Sequence, residues 1–119
     1  VVALTGPQDC VRQMREAFGR RRDVIVAGLN GLPGVSCVLP GGAFYAFPNV
    51  SGCLGRAPGG RPRRTSTDLA EYLLEEAQVA VVPGGEFGSD AHLRLSYATS
   101  EETIVEGVRR IGAALRQLE

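Results

Sequence analysis

Val81-Val82-Pro83-Gly84-Gly85-Glu86-Phe87-Gly88-Ser89-Asp90-Ala91-His92-Leu93-Arg94-Leu95-Ser96-Tyr97-Ala98-Thr99-Ser100 is the stretch on which the reading of this chain turns. It divides into a short apolar strand, a glycine-rich loop, a second strand with one arginine at its centre, and a helix-start signal. From Leu93 to Ala98 the two-residue pleat sets Leu93, Leu95 and Tyr97 on one face and Arg94, Ser96 and Ala98 on the other. The second face is therefore small residues around a single cation. A guanidinium placed there lies on a solvated edge, pairs with an internal Asp or Glu, or receives an external anion. Its rigid fork fits a carboxylate through two parallel hydrogen bonds.

Downstream, Thr99-Ser100-Glu101-Glu102 reads as a capping box with Thr99 as cap and Glu102 three residues on. Ile104, Val108, Ile111, Leu115 and Leu118 follow at helical spacing, and Arg109, Arg110 and Arg116 suit the negative end of the helix dipole. Upstream, Val79 to Val82 is an apolar run short enough for a buried strand. Before it lies a helix opening near Ser66 or Thr67, with Leu69, Tyr72, Leu73 and Ala77 as its buried stripe. From Asn49 to Thr65 the pattern dissolves into a stretch rich in Gly, Pro and Arg without period, which predicts a flexible loop. Val35 to Leu39 and the aromatic-rich Ala43 to Phe47 read as strands, with alternation separating Phe44 from Tyr45. A long helix is predicted from about Pro7 to Leu29, with Val11, Met14, Phe18, Ile25 and Leu29 facing the core. The sum is a single α+β domain over residues 1–119: a small mixed or mainly antiparallel sheet with helices packed on it, between a long N-terminal helix and an amphipathic C-terminal one.

The 13 basic and 13 acidic residues cancel, so no overall field draws nucleic acid or a membrane surface. Arg20-Arg21-Arg22 reads as a solvated helical face with Glu16 pairing Arg20, and Arg56, Arg61, Arg63 and Arg64 as a solvated loop. Cys10, Cys37 and Cys53 are odd in number, widely spaced and in no metal-ligand pattern, which suggests reduced thiols in a cytoplasmic protein and no metal site. The lone histidine, His92, opens a strand and reads as structural. Gly84 and Gly85 fit neither a P-loop nor a dinucleotide fingerprint and read as turn formers, with Phe87 anchoring the loop and Glu86 and Asp90 solvated.

Four segments in order carry a resemblance. Leu4 to Asp9, Pro40-Gly41-Gly42-Ala43-Phe44-Tyr45-Ala46-Phe47-Pro48, Asp68 to Ala77, and Val82 to Gly88 with His92 to Ala98 together resemble the C-terminal small domain of class I, aspartate-aminotransferase-like, pyridoxal-phosphate-dependent aminotransferases. The resemblance implies amino-group transfer between an amino acid and a 2-oxo acid, with Arg94 gripping the substrate α-carboxylate, Phe44 as an apolar wall near the substrate, and the 49–65 loop near the site entrance. It also implies a homodimeric full-length protein. Enzymes of this kind hold pyridoxal phosphate through a lysine amine, and all 13 basic residues here are arginine. The chain is therefore not catalytic alone, and the cofactor's ligands are expected in a large domain outside it. The short apolar start at Val1 without methionine also suggests a piece of a longer protein. A stand-alone carboxylate-binding or interaction module is the alternative, motivated by the absent lysine.

Overall fold

The structure, a computed structural model, describes residues 1–56 and 62–118. In chain order the elements are α1 (Val2–Thr5), α2 (Asp9–Asn30), β1 (Tyr45–Ala46), α3 (Ser66–Ala77), β2 (Val82–Pro83), β3 (Leu93–Ser96) and α4 (Glu101–Arg116), with 3-10 turns at Ser51–Cys53 and Gly84–Phe87. The three strands form an antiparallel sheet in the order β1-β3-β2. This is the α+β architecture expected from the sequence.

The sheet buries one face only. Leu93, Leu95 and Tyr97 join Ile25, Leu29, Leu69, Leu73, Ile104, Ile111 and Leu115 in the core beneath α2, α3 and α4. The Tyr72 hydroxyl donates to the Ala114 carbonyl at 2.9 Å and ties α3 to α4. Where α2 crosses α4, a Cβ on Gly28 would stand 3.0 Å from Val108 Cγ1, so the missing side chain sets how closely the helices approach. The stripes expected on α3 and α4 are buried, Val108 partly so.

Several expectations need correction. The N-terminal helix starts at Asp9 rather than Pro7, after a separate turn of helix, α1. Its core face begins only at Phe18: Val11 and Met14 are 49% and 54% exposed. A helix of 22 residues is about 33 Å long, and its first turns run past the body of the domain. Arg20 turns to Glu101 on α4 at 3.7 Å instead of to Glu16, Arg21 lies over Phe18, and Arg22 pairs with Asp23.

The strand expected at 35–39 survives only as a bridge between Ser36 and Asn49. The cause is Asn30, whose side-chain oxygen accepts from the Cys37 N–H at 2.8 Å and whose amide donates to the Cys37 carbonyl at 2.9 Å, so both ladder groups are occupied. Strand 43–47 shortens to Tyr45–Ala46 because Ala43 is left-handed, with φ +58°. Phe44 thus precedes the strand, and its ring lies 4.7 Å from that of Tyr45 instead of on the opposite face. The strand expected from Val79 forms only at Val82–Pro83, and Pro83 is tolerated because β2 is an edge.

The helix expected to open near Ser66 or Thr67 does begin at Ser66, but neither helix is capped by the residue expected. Thr65 caps α3 and forms the box with Asp68, freeing Ser66 for another task. Ser100, not Thr99, caps α4 by accepting from the Thr103 N–H. Of the loop expected at 49–65, Asn49 bridges to Ser36 and His92, Ser51–Cys53 is a 3-10 turn, and Gly55 and Arg56 exchange backbone hydrogen bonds with Arg63. Residues 57–61 of that loop, with Arg61, lie outside the described residues.

Candidate functional site

The sheet's second face is open, and β3 puts Arg94 at its centre. Pairing of Tyr45 with Ser96 and Ala46 with Leu95 brings Tyr45 diagonally beside Arg94 on that face. On the other side Val82 pairs with Arg94, and the chain after β2 turns over it through Gly84–Phe87. The Arg94 guanidinium carbon lies 4.5 Å from the Tyr45 ring centroid and 4.4 Å from that of Phe87. Arg94 is half-buried, yet among the described residues no carboxylate pairs with it and no acceptor takes its N–H groups. The internal-partner reading of Arg94 is thereby removed.

The face continues as an aromatic floor. Phe47 meets Phe87 edge-on at 6.3 Å and stacks on His92 at 4.7 Å, with the rings 8° from parallel. His92 Nδ1 lies 2.7 Å from Ser89 Oγ, consistent with the structural role expected of it. Phe44 packs at a tilt against Phe18 and Tyr45, and it is the Tyr45 ring that lies against Arg94.

The loop over Arg94 is fastened by its glycines. The Gly84 N–H donates to the His92 carbonyl at 2.8 Å, and the Gly85 N–H donates to Ser66 Oγ at 3.1 Å. With these donors occupied, the two amides are not an anion nest. Ser66, fully buried, donates a hydrogen bond from its own hydroxyl to Asp90 Oδ1 at 2.6 Å, and its N–H donates to the same oxygen at 2.9 Å. Asp90 is solvent-exposed, as expected, and in addition fastens the loop. These two bonds from Ser66, side chain first and backbone second, lower its pKa below the ordinary 3.8. Phe87, expected to anchor the loop, is 48% exposed, and its ring partners are Arg94 and Phe47.

On the other flank, Tyr97 holds the start of β1. Its hydroxyl donates to the Ala43 carbonyl at 3.0 Å and its N–H to the Phe44 carbonyl at 2.9 Å. Burial raises the Tyr97 pKa, with nearby Arg22 opposing. Sequence reasoning missed Tyr45, Ser66 and Asp90 as supports of Arg94. The period of two does put Tyr45 and Phe47 on one face, a signal that was there to be used. The contact of Ser66 with a residue 24 positions away has no local signature.

A groove of about 540 Å³ between α4 and residues 78–80 is lined by Val79, Ala80, Leu95, Thr103 and Gly107 and does not include Arg94. Among the described residues no cluster of His, Cys, Asp or Glu is arranged to hold a metal, Cys10 and Cys37 are free thiols, and no helix is long and apolar enough to cross a membrane.

Comparison with known proteins gives one answer throughout. The profile of the family "Aminotransferase class I and II" matches residues 1–111. The aspartate aminotransferase of Rhizobium meliloti strain 1021 is 50% identical over 119 residues, which are 99% of this chain and 29% of that protein. The probable aspartate/prephenate aminotransferase of Aquifex aeolicus is 49% identical over 98% of this chain and 28% of its own length. The crystal structure of the Rhizobium meliloti aspartate aminotransferase superposes with a TM-score of 0.94, at 50% identity, covering 98% of this chain and 29% of that one. An aromatic aminotransferase from Pyrococcus horikoshii superposes with a TM-score of 0.76 at 38% identity, over 93% of this chain and 28% of its own. The chain thus spans just under a third of the length of the relatives it matches.

Proposed function

Because this chain belongs to the class I and II aminotransferase family, we propose that it is the small, substrate-carboxylate-binding domain of a longer enzyme that moves an amino group between an amino acid and a 2-oxo acid. The observation that carries the proposal is Arg94: a half-buried guanidinium with rings beside it and, among the described residues, no internal anion. A carboxylate meeting its fork makes two charge-assisted hydrogen bonds and compensates the buried cation. Gripping the α-carboxylate fixes the orientation of Cα, which is catalysis by positioning.

Relatives of this class depend on pyridoxal phosphate, which when bound serves as an electron sink for the carbon that carries the amino group. This chain's own donor set does not fit the cofactor. It has no lysine to anchor it, and the backbone amides of Gly84 and Gly85 are already engaged. Its attachment therefore belongs to residues outside this chain. The dimeric full-length protein implied by the resemblance and the cytoplasmic setting read from the cysteine pattern belong to the same proposal.

The test is steady-state kinetics of the full-length, cofactor-loaded protein with L-aspartate, the amino acid named for its relatives, and a 2-oxo acid. Breaking a buried charge pair costs about 2–5 kcal/mol, so Arg94→Ala should lower kcat/KM by at least about thirtyfold. A change below threefold refutes the carboxylate role. Wild-type protein that binds these acids but transfers no amino group would support the stand-alone binding module instead.

A further inference from the structure

Resting on that reading of Arg94, we propose that Tyr45 and Phe87 are positioning residues, an aromatic clamp that holds the guanidinium so that its N–H edge faces the incoming carboxylate. Arginine has four rotatable bonds before its planar head, and a bidentate grip needs one orientation of that head. Two aromatic rings at 4.5 and 4.4 Å supply it. Tyr45 and Phe87 make no ring contact with each other among the described residues, in keeping with the cation lying between them. Rings attract the cation through its face and take none of its hydrogen-bond donors. An internal carboxylate would orient Arg94 equally well, but it would occupy the donors that the substrate needs.

Each jaw is braced from a different part of the fold. Tyr45 is set by pairing with Ser96 and by the Tyr97 hydroxyl on Ala43. Phe87 is set by the 3-10 turn, which Ser66 and Asp90 fasten to the start of α3 through the Gly85 N–H. Phe47 backs Phe87 edge-on. The jaws are nevertheless 36% and 48% exposed, so changing either does not open the core.

The experiment uses the full-length, cofactor-loaded protein and KM for L-aspartate. Phe87→Leu removes the ring and keeps apolar bulk; it should raise KM about five- to tenfold while kcat changes less than twofold, as loss of uniform binding does. Phe87→Tyr, which restores a ring face, should return KM to within twofold of the parent. In an Arg94→Lys background, Phe87→Leu should add no further rise, since the group it orients is gone. The clamp is overturned if Phe87→Leu leaves KM unchanged while Arg94→Lys raises it, if kcat falls at constant KM, or if the two substitutions multiply. If Arg94→Lys itself leaves KM unchanged, the carboxylate grip fails and the clamp falls with it.

Discussion

Replacing Gly84 by alanine tests how the loop over Arg94 is built. A Cβ at Gly84 would lie 2.3 Å from the His92 carbonyl oxygen and 2.3 Å from that of Ser89. Both obstacles are backbone, so neither swings away. Reaching even a tight 3.0 Å contact requires a displacement of 3.0 − 2.3 = 0.7 Å, in a turn held by Gly84 N–H to His92 at 2.8 Å and Ser89 N–H to Gly84 at 3.0 Å. Weakening those two hydrogen bonds costs about 0.5–1.5 kcal/mol each, and overpacking adds about 1–3 kcal/mol. The sum is roughly 2–6 kcal/mol, which for a domain of this size lowers Tm by about 8–25 °C. Gly85 is the internal control, because a Cβ there meets only Asp90 Oδ1 at 3.4 Å and Ser66 Oγ at 3.5 Å. Thermal unfolding followed by circular dichroism should therefore show Gly84→Ala melting far below the parent and Gly85→Ala close to it. Equal Tm values for the two variants, or a Gly84→Ala shift under about 2 °C, would refute the close-approach argument.

Two further outcomes are expected. Tyr97→Phe removes the donor to the Ala43 carbonyl at a residue 1% exposed, which should cost about 1–2 kcal/mol in denaturant unfolding; a loss below a few tenths would mean that the hydroxyl does not hold the start of β1. Asp90 titrates below 3.8 in the folded chain because Ser66 bonds its charged form. Its contribution is therefore complete above pH 3.8 and lost as pH falls through the lower folded value. Asp90→Asn should flatten the acid limb of the stability curve in that window. Glu106, lowered to about 2 by Arg109 and then Arg110, acts with the same sign in both proteins, so an unchanged limb in Asp90→Asn would count against the Ser66 bonds.

How far the fold was legible depended on whether local chemistry had a competitor. The α4 stripe and the alternation of β3 face no rival signal, and both are found as read. The strand at 35–39 has adequate β propensity, but Asn30, at the end of the preceding helix, captures both polar groups of Cys37. A side-chain bond across seven positions outweighed the strand pattern there. Val11 and Met14 follow helical period correctly, yet period says only which residues share a face, not whether another element lies opposite it. At the site, Arg94 was legible because a lone cation on a small-residue face is unusual. Phe87 was not, since its approach to Arg94 depends on a turn whose fasteners, Ser66 and Asp90, are 24 positions apart.

Within β3 the core and the site impose one common constraint. Leu93, Leu95 and Tyr97 must face the helices if the domain is to have a core, and that choice alone sends Arg94 to the open side. A slip of one residue would bury the cation and expose three large side chains, so hydrophobic burial itself enforces the orientation of the candidate ligand group. Register is held at both ends of the strand, by the Gly84 N–H on His92 before it and by the Tyr97 N–H on Phe44 after it. Those same two connections lead to Phe87 and to Tyr45. The contacts that fix which face Arg94 occupies are thus continuous with the contacts that place the rings beside it, so Arg94 can be held in place with no carboxylate among the described residues paired to it.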